Sequence, residues 1–179
     1  MSIFFACTFY FVAAMMTLGL GHKIKQYWTT EAPFRIPTTP APTTSGGVLL
    51  RIAGEVLLFK SLFKANKWIW LFGWVFHAAL VVIMVHHLVY FQQQPAVWIY
   101  QLQPYSKLAG FAMLFGLAGL LARRFLVDRV RYISSPSDFL MLFLLIAIGS
   151  SGLSMLLFWP PDVIAVQHYF TGLIRLTIN

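Results

Sequence analysis

Four long apolar runs dominate the pattern of hydrophobic and polar positions along the chain. A bilayer core about 30 Å thick needs roughly 20 apolar residues in a helix. Runs of this kind cover residues 2–21, 68–91, 108–127 and 139–158. The third run is the weakest, because Arg123 and Arg124 interrupt its end, although long basic side chains at a helix end can extend to the headgroups. The pattern predicts an all-α integral membrane helical bundle with four transmembrane helices, forming a single membrane domain over residues 1–179.

The basic residues lie between these runs and predict an orientation. Seven lie in the loop 22–67 and four in the segment 123–131, whereas the other gaps hold only Lys107 and Arg175. Because basic loops are retained in the cytoplasm, both basic segments are expected on the cytoplasmic side of the inner membrane, with the N-terminus outside. The first run has lysines after it and none before it, the reverse of a cleaved signal peptide, so it is predicted to be a permanent helix.

The loop 22–67 is predicted to have two parts. Residues 37–42 contain three prolines and are expected to be extended, because proline fixes φ and restricts the preceding residue. Residues 48–67 are expected to form one helix at the membrane surface. One of its faces suits lipid headgroups and the other a cytoplasmic partner, and a surface helix with scattered charges explains the pattern equally well. The charges cluster on opposite sides, Lys60, Lys64 and Lys67 against Arg51 and Glu55.

Composition excludes several classes of function. Apolar residues make up 59% of the chain and charged residues 10%, whereas a soluble domain carries about 25% charged residues. The net charge of +8 does not indicate nucleic acid, because the basic residues lie between apolar runs and not on a polar face. Cys7, the only cysteine, lies inside the first run. It cannot support a disulfide, a cysteine-ligated zinc or iron–sulfur site, or covalent haem attachment, so any haem must be held noncovalently.

The candidate chemistry lies in the second run, which carries His77, His86 and His87 and no acidic or other basic residue. Ionisable residues in hydrocarbon are costly and count as functional candidates, and neutral imidazole is a common axial ligand to haem iron. His77 and His87 lie about 15 Å apart along a helix, half the bilayer core, which suits two haems toward opposite faces. They lie about 80° apart around the axis, whereas His86 lies about 180° from His77 and is expected to face another helix or the interface.

Other roles remain open for several of these residues. The three histidines also suit hydrogen bonding between helices, and His22 and His168 fit ordinary interfacial positions. The small residues Ala112, Gly116 and Gly119 fit close helix packing, and they also leave room for a flat macrocycle. A group at the outer end of the second and third runs fits an aromatic interfacial belt or, alternatively, a quinone pocket. Its members are Tyr90, Gln92, Trp98, Tyr105 and Lys107.

The segment 74–91, with its His77 and His87 spacing, resembles the second helix of the gamma-type cytochrome b subunit of respiratory nitrate reductase. Later segments share this resemblance, namely Lys107-Leu-Ala-Gly-Phe-Ala, Arg123-Arg124, Arg129-Val-Arg131, Asp138 and Gly152-Leu153. The chain resembles more closely the DsrM-type membrane cytochrome of the sulfite reductase-associated electron-transfer complex. That similarity lies in Ile36-Pro-Thr-Thr-Pro-Ala-Pro42, Arg51, Glu55 and Phe59-Lys-Ser-Leu-Phe63. Together the motifs cover nearly the whole chain.

The resemblance implies a quinone-linked cytochrome with two b haems, which exchanges electrons between a membrane quinone and a cytoplasmic iron–sulfur subunit in dissimilatory sulfur metabolism. Other membrane subunits are expected in the same complex. By motif match, His77 would ligate the inner haem and His87 the outer haem. Lys107 lies near the quinone region of the family, with Tyr105 beside it.

In that family a fifth helix supplies the opposite haem ligands, and this chain stops at Asn179, where the helix would begin. We expect the sequence to be truncated there. A separate chain that supplies the helix, loss of the haems, or a tail that folds back to bring in His168 are the alternatives. No nucleophile, acid–base pair or phosphate loop indicates a reaction carried out by the chain alone. The rival function is a haem-free membrane anchor or assembly subunit.

Overall fold

The structure is a computed structural model, and it describes residues 2–31, 42–92 and 94–176. These residues form nine α-helices, one 3₁₀ turn and no strand. Four of the helices are long and apolar enough to cross a membrane. They are α1 (Ser2–Thr29), α4 (Lys67–His87), α6 (Gln103–Leu126) and α8 (Pro136–Phe158). The predicted all-α membrane helical bundle and its four spans are thereby confirmed.

Five shorter helices connect or follow the four long ones. They are α2 (Ser45–Leu58), α3 (Lys60–Ala65), α5 (Val97–Gln101), α7 (Asp128–Ile133) and α9 (Val163–Ile174). The 3₁₀ turn Leu88–Phe91 continues α4. Helix α8 begins earlier than the predicted residue 139, because Ser135 and Asp138 form a capping box before its first turn. The predicted extended segment 37–42 lies outside the described residues except for Pro42.

Helix α6 lies between α4 and α8, and glycines allow the close approach. A Cβ added to Gly116 would lie 2.7 Å from the Phe72 carbonyl oxygen of α4, and one at Gly110 would lie 3.0 Å from Leu153 of α8. At Gly119 an added Cβ would overlap the Phe72 ring. Ala112 packs against the same core. The packing role predicted for Ala112, Gly116 and Gly119 is therefore confirmed.

The core of the bundle is formed by small and medium side chains at the crossing of these three helices. Its buried centre contains Ala79 of α4 and Ala109, Met113 and Leu117 of α6. Partly buried residues of α8 pack against this centre, among them Leu142, Leu145 and Ile146. Since Gly119 of α6 lies against Phe72 of α4, and the earlier Gly116 reaches the later Phe76, the two helices run antiparallel.

One side of the bundle carries the start of α4, the end of α6 and the start of α8. Arg124 joins the last two, because its guanidinium donates a 2.7 Å hydrogen bond to the Ser134 hydroxyl and lies 3.6 Å from the Asp138 carboxylate. We call this the basic side and define it by Lys67, Arg124 and Asp138. Antiparallel packing therefore brings the end of the basic loop 22–67 and the basic segment 123–131 to the same side. That this side faces the cytoplasm stays a prediction.

Helix α1 is attached mainly through α9. The Tyr10 hydroxyl donates a 2.6 Å hydrogen bond to the Leu173 carbonyl, and the Phe9 and Phe170 rings meet edge to face with centroids 6.4 Å apart. Most apolar side chains of α1 are exposed, including Phe4 and Met16. These surfaces are available to lipid or to another membrane subunit.

The predicted single surface helix 48–67 is wrong. The chain forms α2 and α3, which are separated at Phe59 by a left-handed backbone conformation, φ 48° and ψ 47°. That conformation costs about 1–2 kcal/mol in a residue with a side chain. It ends α2, because the Phe59 N–H bonds back to the Glu55 carbonyl at 3.2 Å. The Glu55 carboxylate then accepts from the Ser61 N–H and hydroxyl at 2.9 and 2.7 Å, which starts α3.

The close α4–α6 approach can be tested with Gly116→Ala. We expect unfolding free energy to fall by about 1–3 kcal/mol, because the added methyl group meets backbone atoms that cannot move without displacing α4. The measurement is thermal unfolding of the purified protein in detergent.

Gly19→Ala is the matched control, since no described atom lies within 4 Å of a Cβ added to Gly19. Alanine is the better helix former by about 1 kcal/mol, so this variant should unfold at the wild-type temperature or above it. Equal melting temperatures for the two variants would contradict the close approach.

Candidate functional site

His77 lies halfway along α4 with its side chain exposed. Its Nδ1 atom lies 2.7 Å from the carbonyl oxygen of Gly73, one turn earlier in the helix. A carbonyl only accepts hydrogen bonds, so Nδ1 must carry the proton. The Nε2 atom of the neutral ring then carries the free electron pair.

His87, the last residue of α4, has the same arrangement. Its Nδ1 lies 2.7 Å from the Ile83 carbonyl oxygen, and its side chain is exposed. The hydrogen bond again leaves the Nε2 electron pair available. Histidines that bind metals usually donate their other ring N–H in this way, which fixes the tautomer and the ring orientation.

His86 differs from its two neighbours. It is partly buried, and its Nδ1 is enclosed without a hydrogen-bond partner among the described residues. The backbone of Ile99, a fully buried residue of α5, lies next to the imidazole. The prediction that His86 faces another helix is confirmed. Its ring therefore does not share the arrangement that makes Nε2 available in His77 and His87.

Aromatic rings surround the two exposed imidazoles unequally. The His77 ring meets Phe76 of its own helix at 4.8 Å and 73°, and Phe59 of the α2–α3 turn at 5.0 Å and 81°. The His87 ring meets Tyr90 at 5.6 Å and 68°. Contacts between rings near 5 Å with steep angles are the edge-to-face geometry that aromatic groups prefer. His77 is thus restrained by a second segment of the chain, whereas the Tyr90 contact is local.

The donor set fits haem iron better than a bare metal ion. Within residues 2–31, 42–92 and 94–176, no three His, Cys, Asp or Glu side chains form a group that could hold a metal. A protein zinc site needs three or four such ligands. Haem brings four nitrogen ligands of its own and takes axial ligands from the protein, so a single imidazole with a free Nε2 is a sufficient contribution from one helix.

The α2–α3 turn is held against α4 by two tryptophans that sequence reasoning missed. The indole N–H of Trp70 donates to the Leu58 carbonyl at 2.7 Å, and that of Trp74 donates to the Leu57 carbonyl at 3.1 Å. These carbonyls belong to the last turn of α2, where no further helical N–H is available to them. The i, i+4 spacing of the two indoles was the signal available in the sequence.

Glu55 stabilises the same turn electrostatically. The hydrogen bonds from the Ser61 hydroxyl and N–H lower the pKa of Glu55 below its model-compound value of 4.5. A carboxylate with a lowered pKa adds stability above its unfolded-state pKa and loses that contribution as the pH falls through its folded-state pKa. The stabilising contribution of the Glu55 carboxylate is therefore fully present at neutral pH.

Helix α9 covers the far end of α4 through a contact that sequence reasoning also missed. The buried side-chain amide of Gln167 donates to the Val89 carbonyl at 2.8 Å, and the Phe91 and Phe170 rings lie 4.8 Å apart. These contacts place α9 on the 3₁₀ turn directly after His87. His168 is exposed on α9, and His22 is exposed on α1.

The candidate quinone residues are less well defined. Tyr105 and Lys107 are exposed on the first turns of α6, and no hydrogen bond joins either side chain to another described residue. Both lie at the end of α6 opposite the basic side, as do Tyr90 and His87 on α4. The structure therefore brings these residues to one end of the bundle.

The fold defines the class first: an all-α bundle whose four long apolar helices suit a multi-pass membrane protein. Within that class the chain is 26% identical to the Hdr-like menaquinol oxidoreductase cytochrome b-like subunit of Archaeoglobus fulgidus, over 95% of this chain and 63% of the relative. It is 27% identical to the subunit of the same name from Archaeoglobus profundus, over 93% of this chain and 62% of the relative. The similarities support a membrane cytochrome b-like family.

The chain spans less than two thirds of the length of these curated relatives. No family model matches it. No solved structure matches it either. The resemblance to the nitrate reductase gamma subunit and to DsrM-type cytochromes stays a prediction.

The anchoring of the α2–α3 turn can be tested with a Trp70→Phe, Trp74→Phe double variant. Each change keeps an aromatic ring and removes one hydrogen bond worth about 1 kcal/mol. Since proteolysis tracks the opened population, tryptic cleavage after the exposed Lys60 and Lys64 should become faster, by about fivefold for each kcal/mol lost. The measurement is limited proteolysis of the protein in native membranes.

Trp68→Phe is the control, because the Trp68 indole has no hydrogen-bond acceptor among the described residues and its side chain is exposed. Its cleavage rate should equal that of the wild type. A double variant that is cleaved no faster than this control would rule out the two indoles as anchors.

Proposed function

We propose that this chain is a haem b-binding membrane subunit of a quinone-linked respiratory complex, in which it transfers electrons between menaquinol or menaquinone and an iron–sulfur partner. The observation that carries the proposal is the shared geometry of His77 and His87. In each ring, Nδ1 hydrogen-bonds to a carbonyl of its own helix, and Nε2 is left available as a metal ligand. The name of the two Archaeoglobus relatives, a cytochrome b-like subunit, supports haem as the group held.

His77 and His87 would hold two separate haems, one residue to each haem. Haem, when bound, supplies one-electron redox chemistry. The chain's own contribution is to hold Nδ1 of each imidazole and so orient both rings. The opposite ligands would come from a further helix, as the resemblance implies.

The spacing of the two ligands supports electron transfer across the membrane. They lie about 15 Å apart along α4, and His87 ends the helix on the side away from Lys67. One ligand is therefore near the middle of the span and the other near the outer end. Two redox groups at these depths would shorten the distance of each electron-transfer step across the hydrocarbon core.

The end of the bundle that carries His87 suits the quinone. The relatives' name describes a menaquinol oxidoreductase, which supports menaquinol as the exchangeable substrate. The Lys107 ammonium and the Tyr105 hydroxyl are hydrogen-bond donors, and quinone carbonyls are acceptors. We assign both residues to the quinone region, close to the ligand of the outer haem.

The basic side suits a cytoplasmic iron–sulfur subunit. Positively charged loops face the cytoplasm, which supports an external N-terminus. The inner membrane is the proposed location of the complex. The Hdr-like name of the relatives supports assembly with further subunits. A role in dissimilatory sulfur metabolism rests on the resemblance to the DsrM-type cytochromes.

His77→Ala and His87→Ala test the proposal in the native complex. Each variant should lose one of two b-type signals from the reduced-minus-oxidised spectrum, because no neighbouring side chain offers the same free Nε2. His22→Ala is the control, since His22 is an exposed histidine of a different helix, α1, and it should keep both signals. Pyridine haemochrome analysis gives the haem content per complex.

Two results would contradict the proposal. One is an intact wild-type complex without b-type haem, which would favour the haem-free anchor. The other is full haem content in both histidine variants, which would show that other residues hold the haems.

A further inference from the structure

Phe59 combines an unfavourable backbone conformation with a specific ring contact. Its φ of 48° lies in the left-handed region, which favours glycine or asparagine over a bulky aromatic residue. A glycine would complete the turn between α2 and α3 with less strain. The phenyl ring therefore needs a reason other than the turn itself, and its contact with His77, at a centroid distance of 5.0 Å, supplies one.

The turn that carries Phe59 is fixed from three directions. Glu55 binds Ser61 across it, and the Trp70 and Trp74 indoles tie the preceding carbonyls to α4. The Phe59 N–H bonds to the Glu55 carbonyl. These hydrogen bonds hold the Cα of Phe59 at a defined position beside α4, from which its ring reaches His77.

We propose that Phe59 is a positioning residue that sets the plane of the His77 imidazole as an iron ligand. Rotation about the bond between Cβ and a planar ring is broadly allowed, so the plane needs restraints from outside the side chain. The Gly73 carbonyl holds Nδ1, Phe76 covers one part of the ring, and Phe59 supplies the restraint from a separate segment. This inference rests on the proposed function, in which His77 binds haem iron.

His87 provides an internal comparison. Its ring contact comes from Tyr90, three residues further along the chain, and within residues 2–31, 42–92 and 94–176 no ring of a distant segment meets it. Removal of the Phe59 ring should therefore affect the His77 haem and leave the His87 haem unchanged. The orientation of the axial imidazoles determines the electron paramagnetic resonance (EPR) signal of low-spin ferric haem, which makes the effect observable without turnover.

Phe59→Gly in the native complex is the test. Glycine adopts positive φ without strain, so the turn persists while the ring is removed. We expect one of the two low-spin haem signals to shift in the EPR spectrum, together with its reduction potential, while the second haem and the total haem content stay at wild-type values. The haem lost in His77→Ala identifies which signal should move.

Two further variants separate positioning from general packing. Phe59→Tyr keeps the ring and should restore the wild-type signals. Phe63→Ala removes a ring of the same turn region that meets Trp70, with centroids 4.8 Å apart, instead of His77, and it should leave both signals in place. If Phe59→Gly lowers the haem content, Phe59→Leu, which retains apolar volume, is measured instead and should still shift one signal.

The inference and the proposed function fail in different ways. Unshifted signals in Phe59→Gly or, where haem is lost, in Phe59→Leu would overturn the positioning role while haem ligation by His77 stands. A shift of both haems alike would also overturn it. A complex whose haem content does not depend on His77 would contradict the proposed function itself.

Discussion

The hydrogen bond from an imidazole Nδ1 to a carbonyl one turn earlier is the interaction on which this account depends. Inside a membrane a polar ring nitrogen cannot rely on water, so it must find a partner within the protein. His77 and His87 find theirs in their own helix, at 2.7 Å in both cases. This local solution satisfies Nδ1 and leaves Nε2 without a partner in the helix. His86 does not make that bond and faces α5.

The bundle provides a rigid support for this helix. Gly116 lets α6 approach the backbone of α4 near Phe72, and the α2–α3 turn packs against the same stretch of α4 through Trp70 and Trp74. Helix α4 is thereby held on two sides between its start and His77. His77 and His87 themselves remain exposed on this helix.

The sequence was a good guide to elements whose formation depends on local pattern and a poor guide to those that depend on distant hydrogen bonds. Apolar runs of sufficient length predicted all four spans, because the bilayer leaves little choice of structure. Helical rotation also placed His86 correctly. The break at Phe59 was missed because its residue type does not indicate a left-handed backbone. The hydrogen bonds between the Glu55 carboxylate and Ser61 explain the break, and they are visible only in the structure. The Gln167 contact was missed for the same reason, since its partner lies 78 residues away.

The central claim is that two imidazoles of one membrane helix bind haem iron through Nε2. An electron cryomicroscopy map of the native complex, at a resolution that shows individual side chains, is the most direct measurement. The account predicts planar density for two macrocycles, with iron adjacent to Nε2 of His77 in one and of His87 in the other. A map in which both rings contact only protein side chains or lipid would contradict it.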